Sequence, residues 1–294
     1  MLFKQFCFWV SFLMSLSTVA QPILPRLPQI WGQSDQVLLL FQPSTTSSDK
    51  ANVGVGLNQM IGAFDNIKSY YFLAQYQLNN EDKFWHKIGI QALSDREGSF
   101  IRENRMYVSY SSHIPLNETI RMGLGIGIGL VGLSFIGNDV SPGGNATKPD
   151  IQFSSTIQSD RTKIGLSINQ LLQPKITPIV ATYKLQRYAS FFVQHQFDLS
   201  LNAAVRPFAF VRYSGTNQFE TSLQSSFLIY QKLAFAIGAK NFSSFLGGVT
   251  FENIPILDQN CSFFFNYQWP VSKLRSASVF ELGLSFRFKP TENE

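Results

Sequence analysis

From Thr119 to Leu133 the chain reads T-I-R-M-G-L-G-I-G-I-G-L-V-G-L. Large apolar side chains hold one set of alternate positions, Ile120, Met122, Leu124, Ile126, Ile128 and Leu130. Thr119, Arg121, Gly123, Gly125, Gly127 and Gly129 hold the other. A helix would scatter the six apolar groups around its circumference and set glycine through its interior, at roughly 1 kcal/mol each. A strand instead gathers them into a ridge on one face and leaves the other face nearly bare. In a soluble sandwich that second face would carry polar or charged residues, not a row of glycines. A barrel in a membrane accounts for both faces. The ridge meets lipid, and Gly123, Gly125, Gly127 and Gly129 look into a crowded lumen where a plug or guest chain approaches the wall.

The rest of the chain has to repeat this pattern if a barrel is to form. Hydrophobic residues make up 45% of the 294 positions, yet no uninterrupted apolar run reaches the ~18 residues of a helical span. Any crossing must therefore use strands. Charged residues are only 15%, against roughly 25% in ordinary soluble domains, while aromatics reach 14% with 28 Phe. Such a surface suits contact with lipid.

Residues 1–20 have the form of an export signal: Lys4, an apolar core from Phe6 to Leu16, and small residues ending at Ala20. Its removal takes Cys7 and leaves Cys261 as the sole cysteine, which excludes a disulfide framework. Residues 21–50 read as an extended arm or plug-like segment with Pro22, Pro25 and Pro28; within it Val37 to Phe41 reads either as a short strand or as a piece folded into the lumen. Residues 51–289 are expected to form the barrel, and 290–294 a short tail.

Alternating segments of about ten residues, the length of a tilted bilayer strand, then succeed one another. They run over 52–60, 68–78, 84–94, 105–114, 119–133, 150–158, 163–169 and 189–197. The series continues over 205–213, 218–229, 232–240, 245–251, 261–269 and 278–288. Phe135 to Pro149 and Gln170 to Arg187, both rich in turn residues, read as longer external loops. The count is about 14, an even number that puts both ends of the barrel on the periplasmic side. Trp85, Tyr213, Tyr230 and Trp269, near segment ends, are expected in interfacial girdles.

The net charge of +5 is spread over single Lys and Arg at segment ends, with no basic run to bind nucleic acid. No G-x-S-x-G elbow, P-loop, H-E-x-x-H or paired-cysteine metal signature is present, so no cofactor or metal is expected. His113, with Ser111, Ser112 and Glu118 nearby in sequence, permits a sketch of a hydrolase trio, but no oxyanion-hole candidate accompanies it.

One order of segments resembles a known family. Lys148-Pro149-Asp150-Ile151-Gln152-Phe153, followed by Lys163-Ile164-Gly165-Leu166-Ser167-Ile168-Asn169-Gln170-Leu171-Leu172-Gln173-Pro174-Lys175, is similar to the P-x-h-x-h-G…h-G-L-S-h-x-x-L-L-x-P signature of PorP/SprF proteins. The glycine-striped segment, the Arg206-Pro207 strand start and the terminal Glu281-Leu282-Gly283-Leu284-Ser285-Phe286-Arg287-Phe288 resemble that family too. Where members carry F-S-Q-Y…N-P…N-P-A-x-A-G near the start, this chain has Trp31-Gly32-Gln33-Ser34…Phe41-Gln42-Pro43-Ser44.

The resemblance implies a non-enzymatic outer-membrane component of the Bacteroidota type IX secretion and gliding machinery. It further implies that the protein anchors or presents secreted proteins, often adhesins with a type B C-terminal domain, beside periplasmic ring components. The fold expected is therefore an all-β transmembrane antiparallel barrel in outer-membrane lipid, with Gly123, Gly125, Gly127 and Gly129 as lumen-facing partner contacts. The rival reading is a porin or hydrophobic-solute channel; behind it stand a membrane lipid enzyme and a soluble sandwich.

Overall fold

In a computed structural model the described residues are 38–45, 49–62, 65–78, 84–137, 142–180, 182–214, 219–241, 243–256, 259–271 and 278–288. The signal segment, arm residues 21–37 and the tail 290–294 lie outside them.

The alternation of the sequence becomes strand wherever it runs unbroken. Among the described residues the first strands are β1 (Ala51–Ile61), β2 (Lys68–Gln77), β3 (Trp85–Glu97), β4 (Ile101–Pro115), β5 (Arg121–Phe135) and β6 (Gly144–Gln158). Then come β7 (Thr162–Asn169), β8 (Lys175–Ile176), β9 (Tyr183–Lys184), β10 (Tyr188–His195), β11 (Phe197–Ser200) and β12 (Ala203–Ser214). The last are β13 (Phe219–Ile229), β14 (Leu233–Lys240), β15 (Ser244–Ile256), β16 (Gln259–Pro270) and β17 (Ser278–Phe288).

Lipid offers the backbone no hydrogen bonds, so a sheet that crosses it must close. Here β17 returns to β1 in register from Ala51↔Phe288 to Ile61↔Ser278. On the far side β10 joins β7 to β12, with Tyr188 opposite Asn169 and Ser214. The result is a closed antiparallel barrel of 14 strands with one extra strand, β11. That extra strand continues the line of β10 along β12, with Phe197 opposite Val205. The break falls opposite Pro207, whose nitrogen has no hydrogen to donate; the Gln196 N–H instead donates to the Arg161 carbonyl at 2.8 Å.

Both barrel ends share one rim with short turns such as 159–161 and 201–202, while the long connections 136–143 and 170–187 lie at the other. For an outer-membrane barrel the rim with both ends is the periplasmic one, which makes the rim bearing 136–143 and 170–187 the outer one. β4, β5 and β6 each have 15 residues, more than the ~9–11 that span a bilayer, so they overshoot at that rim. This corrects the loop expected over Phe135 to Pro149. Residues 144–149 are strand, paired from Phe135↔Gly144 to Leu130↔Pro149, and only 136–143 connect. Alternation alone missed it because these residues are held by the ladder of an overshooting neighbour and not by an apolar face.

The two faces separate cleanly. Val55, Phe72, Ile90, Val108, Ile128 and Phe265 point outward and are exposed to the space that lipid occupies. Their neighbours Ser69, Gln75, Gln91, Ser109, Ser154 and Asn266 are buried inside. Tyr213, Tyr230 and Trp269 are exposed near the rims. Trp85 has the phase of the lumen-facing Lys87 and lies under the Arg121 guanidinium, 3.9 Å from its ring centroid.

Val108 sits mid-strand on the lipid face. Val108→Arg should destabilise the inserted barrel by about 2–4 kcal/mol, read as a shift in the urea midpoint of refolding into vesicles. Ser109→Ala, one residue away but facing inward, should cost far less.

Candidate functional site

The lumen is where the bare face of β5 finds its use. With no side chain on Gly129, Tyr107 of β4 lies across β5, and its hydroxyl donates to Asp150 Oδ2 of β6 at 2.6 Å. With none on Gly127, Gln152 of β6 folds over that position, and its Nε2 donates to Gln91 Oε1 of β3 at 2.9 Å. The glycine stripe is thus a trench through which the side chains of flanking strands reach one another.

Toward the periplasmic rim the trench takes main chain. A methyl group on Gly123 would stand 2.6 Å from the Ser44 carbonyl oxygen. One on Gly125 would stand 2.6 Å from the Ser44 nitrogen and 2.9 Å from the Pro43 carbonyl carbon. Two hydrogen bonds fix the arm there: the Ser44 N–H donates to Ser154 Oγ at 2.9 Å, and the Thr156 hydroxyl donates to the Ser44 carbonyl at 2.6 Å. Of the four glycines singled out from sequence, then, Gly123 and Gly125 lie against the chain's own arm, while Gly127 and Gly129 lie under wall side chains.

The arm continues inward as a turn, with the Gln42 N–H donating to the Leu38 carbonyl at 2.8 Å. Leu38, Leu39, Leu40 and Phe41 are all buried, in one cluster with Tyr71, Leu73, Leu93, Phe192, Phe208 and Phe264 of the wall. Of the two open readings of Val37 to Phe41, the structure has the lumen piece for residues 38–41. A water-filled barrel would carry polar side chains at those wall positions. Their apolar character belongs to the arm they cover, and each buried Leu or Phe contributes roughly 1.5–3 kcal/mol. Between Leu40, Phe41, Gln91, Arg105, Tyr107 and Tyr188 a void of only about 20 Å³ remains, room for about one water.

A second element folds inward near the outer rim. Residues 170–187, expected as a plain loop, contain the small β8–β9 hairpin. It turns Ile176 inward against Tyr107, Val131 and Leu133, where it is fully buried. The Leu172 N–H donates to Asp150 Oδ1 at 3.4 Å, and Arg187 Nη2 donates to the Leu171 carbonyl at 2.8 Å.

Several of the buried charges inside the wall are paired, while the buried Asp95 accepts from the Ser69 hydroxyl and the buried Glu281 from Tyr71 and Asn266. Arg105 bonds Glu103 at 2.6 Å, Arg212 and Lys240 share Glu220, and Arg206 meets Glu252 at 3.4 Å. A lone charge in this confined space would be costly, and removing one partner of such a pair costs more than the pair contributes. Ser111 and His113 do meet, with Oγ and Nε2 3.2 Å apart, but both are buried in the wall, beside Gly123 and the Ser44 turn; Glu118 lies exposed in the β4–β5 turn. The pair is buried, and among the described residues it has no carboxylate partner.

Sequence reasoning missed the aromatic ring of wall residues. The signal was present, since Tyr71, Leu73 and Phe192 occupy phases otherwise given to Ser and Gln.

Comparison with known proteins adds the lineage of the scaffold. The family model described as type IX secretion system membrane protein PorP/SprF matches residues 35–286, which takes in arm residues 38–45 as well as almost the whole barrel. No curated protein matches the sequence at significance. Among solved structures, the toluene transporter TbuX of Ralstonia pickettii aligns with a TM-score of 0.57 at 10% identity, covering 87% of this chain and 94% of that one. The toluene transporter TodX of P. putida aligns at 0.53 and 9% identity, covering 87% and 94%. A Pseudomonas aeruginosa FadL homologue aligns at 0.52 and 8%, covering 85% and 93%. At such identities the likeness is one of fold.

The arm contact is open to a direct check. In a Cys261→Ser background, Ser44→Cys with Ser154→Cys should form a disulfide in isolated membranes, seen as a mobility shift that reductant reverses. Adding Gly125→Leu, which puts a side chain where the Ser44 nitrogen lies, should abolish that cross-link while heat-modifiable migration of the barrel persists.

Proposed function

Because the chain belongs to the PorP/SprF family of type IX secretion system membrane proteins, we propose that this outer-membrane β-barrel is a non-enzymatic part of that machinery. In this reading it anchors or presents secreted proteins, those with a type B C-terminal domain, at the cell surface and works beside periplasmic ring components. The observation that carries it is the family match over residues 35–286. The occupied interior supports it: a barrel whose lumen holds Leu38 to Thr45, with Ile176 folded against the wall above, is suited to hold proteins at its rims and loops rather than to pass solutes. The channel reading draws only on the shared barrel fold of the toluene transporters. Gly123, Gly125, Gly127 and Gly129 enter as contacts for a partner segment on one condition, that the guest displaces residues 38–45 from the trench.

Purification of the tagged protein from native outer membranes in mild detergent, with mass spectrometry of what accompanies it, tests this. A large secreted protein together with periplasmic ring components is the expected result. The barrel recovered alone, with its cargo released normally into the medium, would overturn it.

A further inference from the structure

The outer wall near the outer rim carries an arrangement that the secretion role does not use. The register places Lys68 of β2 opposite Arg96 of β3, and Arg96 opposite Arg102 of β4, so three cations stand in one row on neighbouring strands. All three take the outward phase. Asp95 and Glu103, adjacent in sequence, point the other way and are buried in the lumen wall. Among the described residues no carboxylate pairs with Lys68, Arg96 or Arg102, and the Nε atoms of both arginines are shielded from solvent without a partner. Like charges directly opposed across strands repel. The row is therefore built at a cost, which a bound anion would remove.

The surface below the row says which anion. One row nearer the membrane centre, about 6.6 Å along each strand, stand Tyr70, Ser94, Asn104, Gly132 and Thr147 in consecutive register. The next row holds Phe72, Ala92, Met106 and Leu130. Charge gives way to hydroxyls and amides, and these to apolar side chains, in the order of a lipid's phosphate, sugar and acyl chains. The wall is also hollowed there. A depression of about 600 Å³ runs from Ser134 and Asn145 past the side-chain-free Gly132 to Met106 and Leu130. A second, of about 200 Å³, lies among Lys68, Arg96 and Arg102.

We propose that this face of β2 to β6 is a binding site for a phosphorylated glycolipid of the outer leaflet. Its phosphate is held by Lys68, Arg96 and Arg102, its sugar lies on Ser94, Asn104 and Asn145, and its acyl chains follow the groove over Gly132 and Leu130. Guanidinium groups match phosphate oxygens in two-pronged hydrogen bonds, and basic pockets at a membrane rim take anionic headgroups in this way. The inference rests on the barrel and its orientation, and stands apart from the secretion role.

The test uses the full-length barrel, delipidated in a neutral detergent, with native mass spectrometry and thermal unfolding as readouts. Three probes are compared: diphosphoryl lipid A, the same lipid stripped of its phosphates, and inorganic phosphate. One copy of the diphosphoryl lipid should bind and raise Tm, with the stripped lipid bound about tenfold more weakly and inorganic phosphate without effect. Arg96→Gln with Arg102→Gln should lose about tenfold in lipid binding, whereas Lys232→Gln at the opposite rim should lose nothing. Equal binding of the stripped lipid, full binding by the double variant, or equal protection by inorganic phosphate would each overturn the site. Should the double variant fail to reach the heat-modifiable form, Lys68→Gln alone serves, and undiminished binding by it counts against the proposal equally.

Discussion

A single methyl group on Gly125 would stand 2.6 Å from the backbone nitrogen of Ser44, and that lack of room governs the inside of this barrel. Main chain lies directly on main chain there, which only a residue without Cβ permits. The same bareness lets Tyr107 and Gln152 cross β5 to their partners. The wall around the arm matches it: apolar residues where Leu38 to Phe41 lie, and the hydroxyls of Ser154 and Thr156 where its peptide groups need partners.

The barrel thus solves two solvation problems with one set of strands. Outside, apolar side chains face lipid and the closed ladder leaves no unpaired edge, since β1 meets β17 and β10 joins β7 to β12. Inside, a polar wall would ordinarily be wetted, but around Phe192, Phe208 and Phe264 it is apolar and buried against Leu38 to Phe41. An open pore would expose that ring of aromatics to water. The seated arm is what makes such a composition stable.

Much of the fold was legible because alternation survives in a barrel: each strand has one face to lipid and one to the lumen, so the period of two runs unbroken. The glycine stripe announced a close approach for the same reason. What stayed hidden depends on register. Lys68, Arg96 and Arg102 read in sequence as isolated charges at segment ends, and only the pairing of β2, β3 and β4 lines them up. Tyr71, Leu73 and Phe192 stood out of phase with their polar neighbours, but that they gather in one cluster with the arm follows from strand offsets that no local pattern states. Residues 144–149 and Trp85 failed for a related reason: near a rim, neighbouring strands and turns decide what a residue does, and hydropathy says little.

Family membership and the plugged lumen point the same way, toward a protein that works through surfaces and bound chains. Planar-bilayer recording of the purified full-length barrel, beside a variant lacking residues 38–45, tests the plug most directly. The seated arm predicts that the full-length protein passes little current while the shortened one conducts steadily. Equal, steady conductance from both would contradict it, and would return the barrel to the class of open channels.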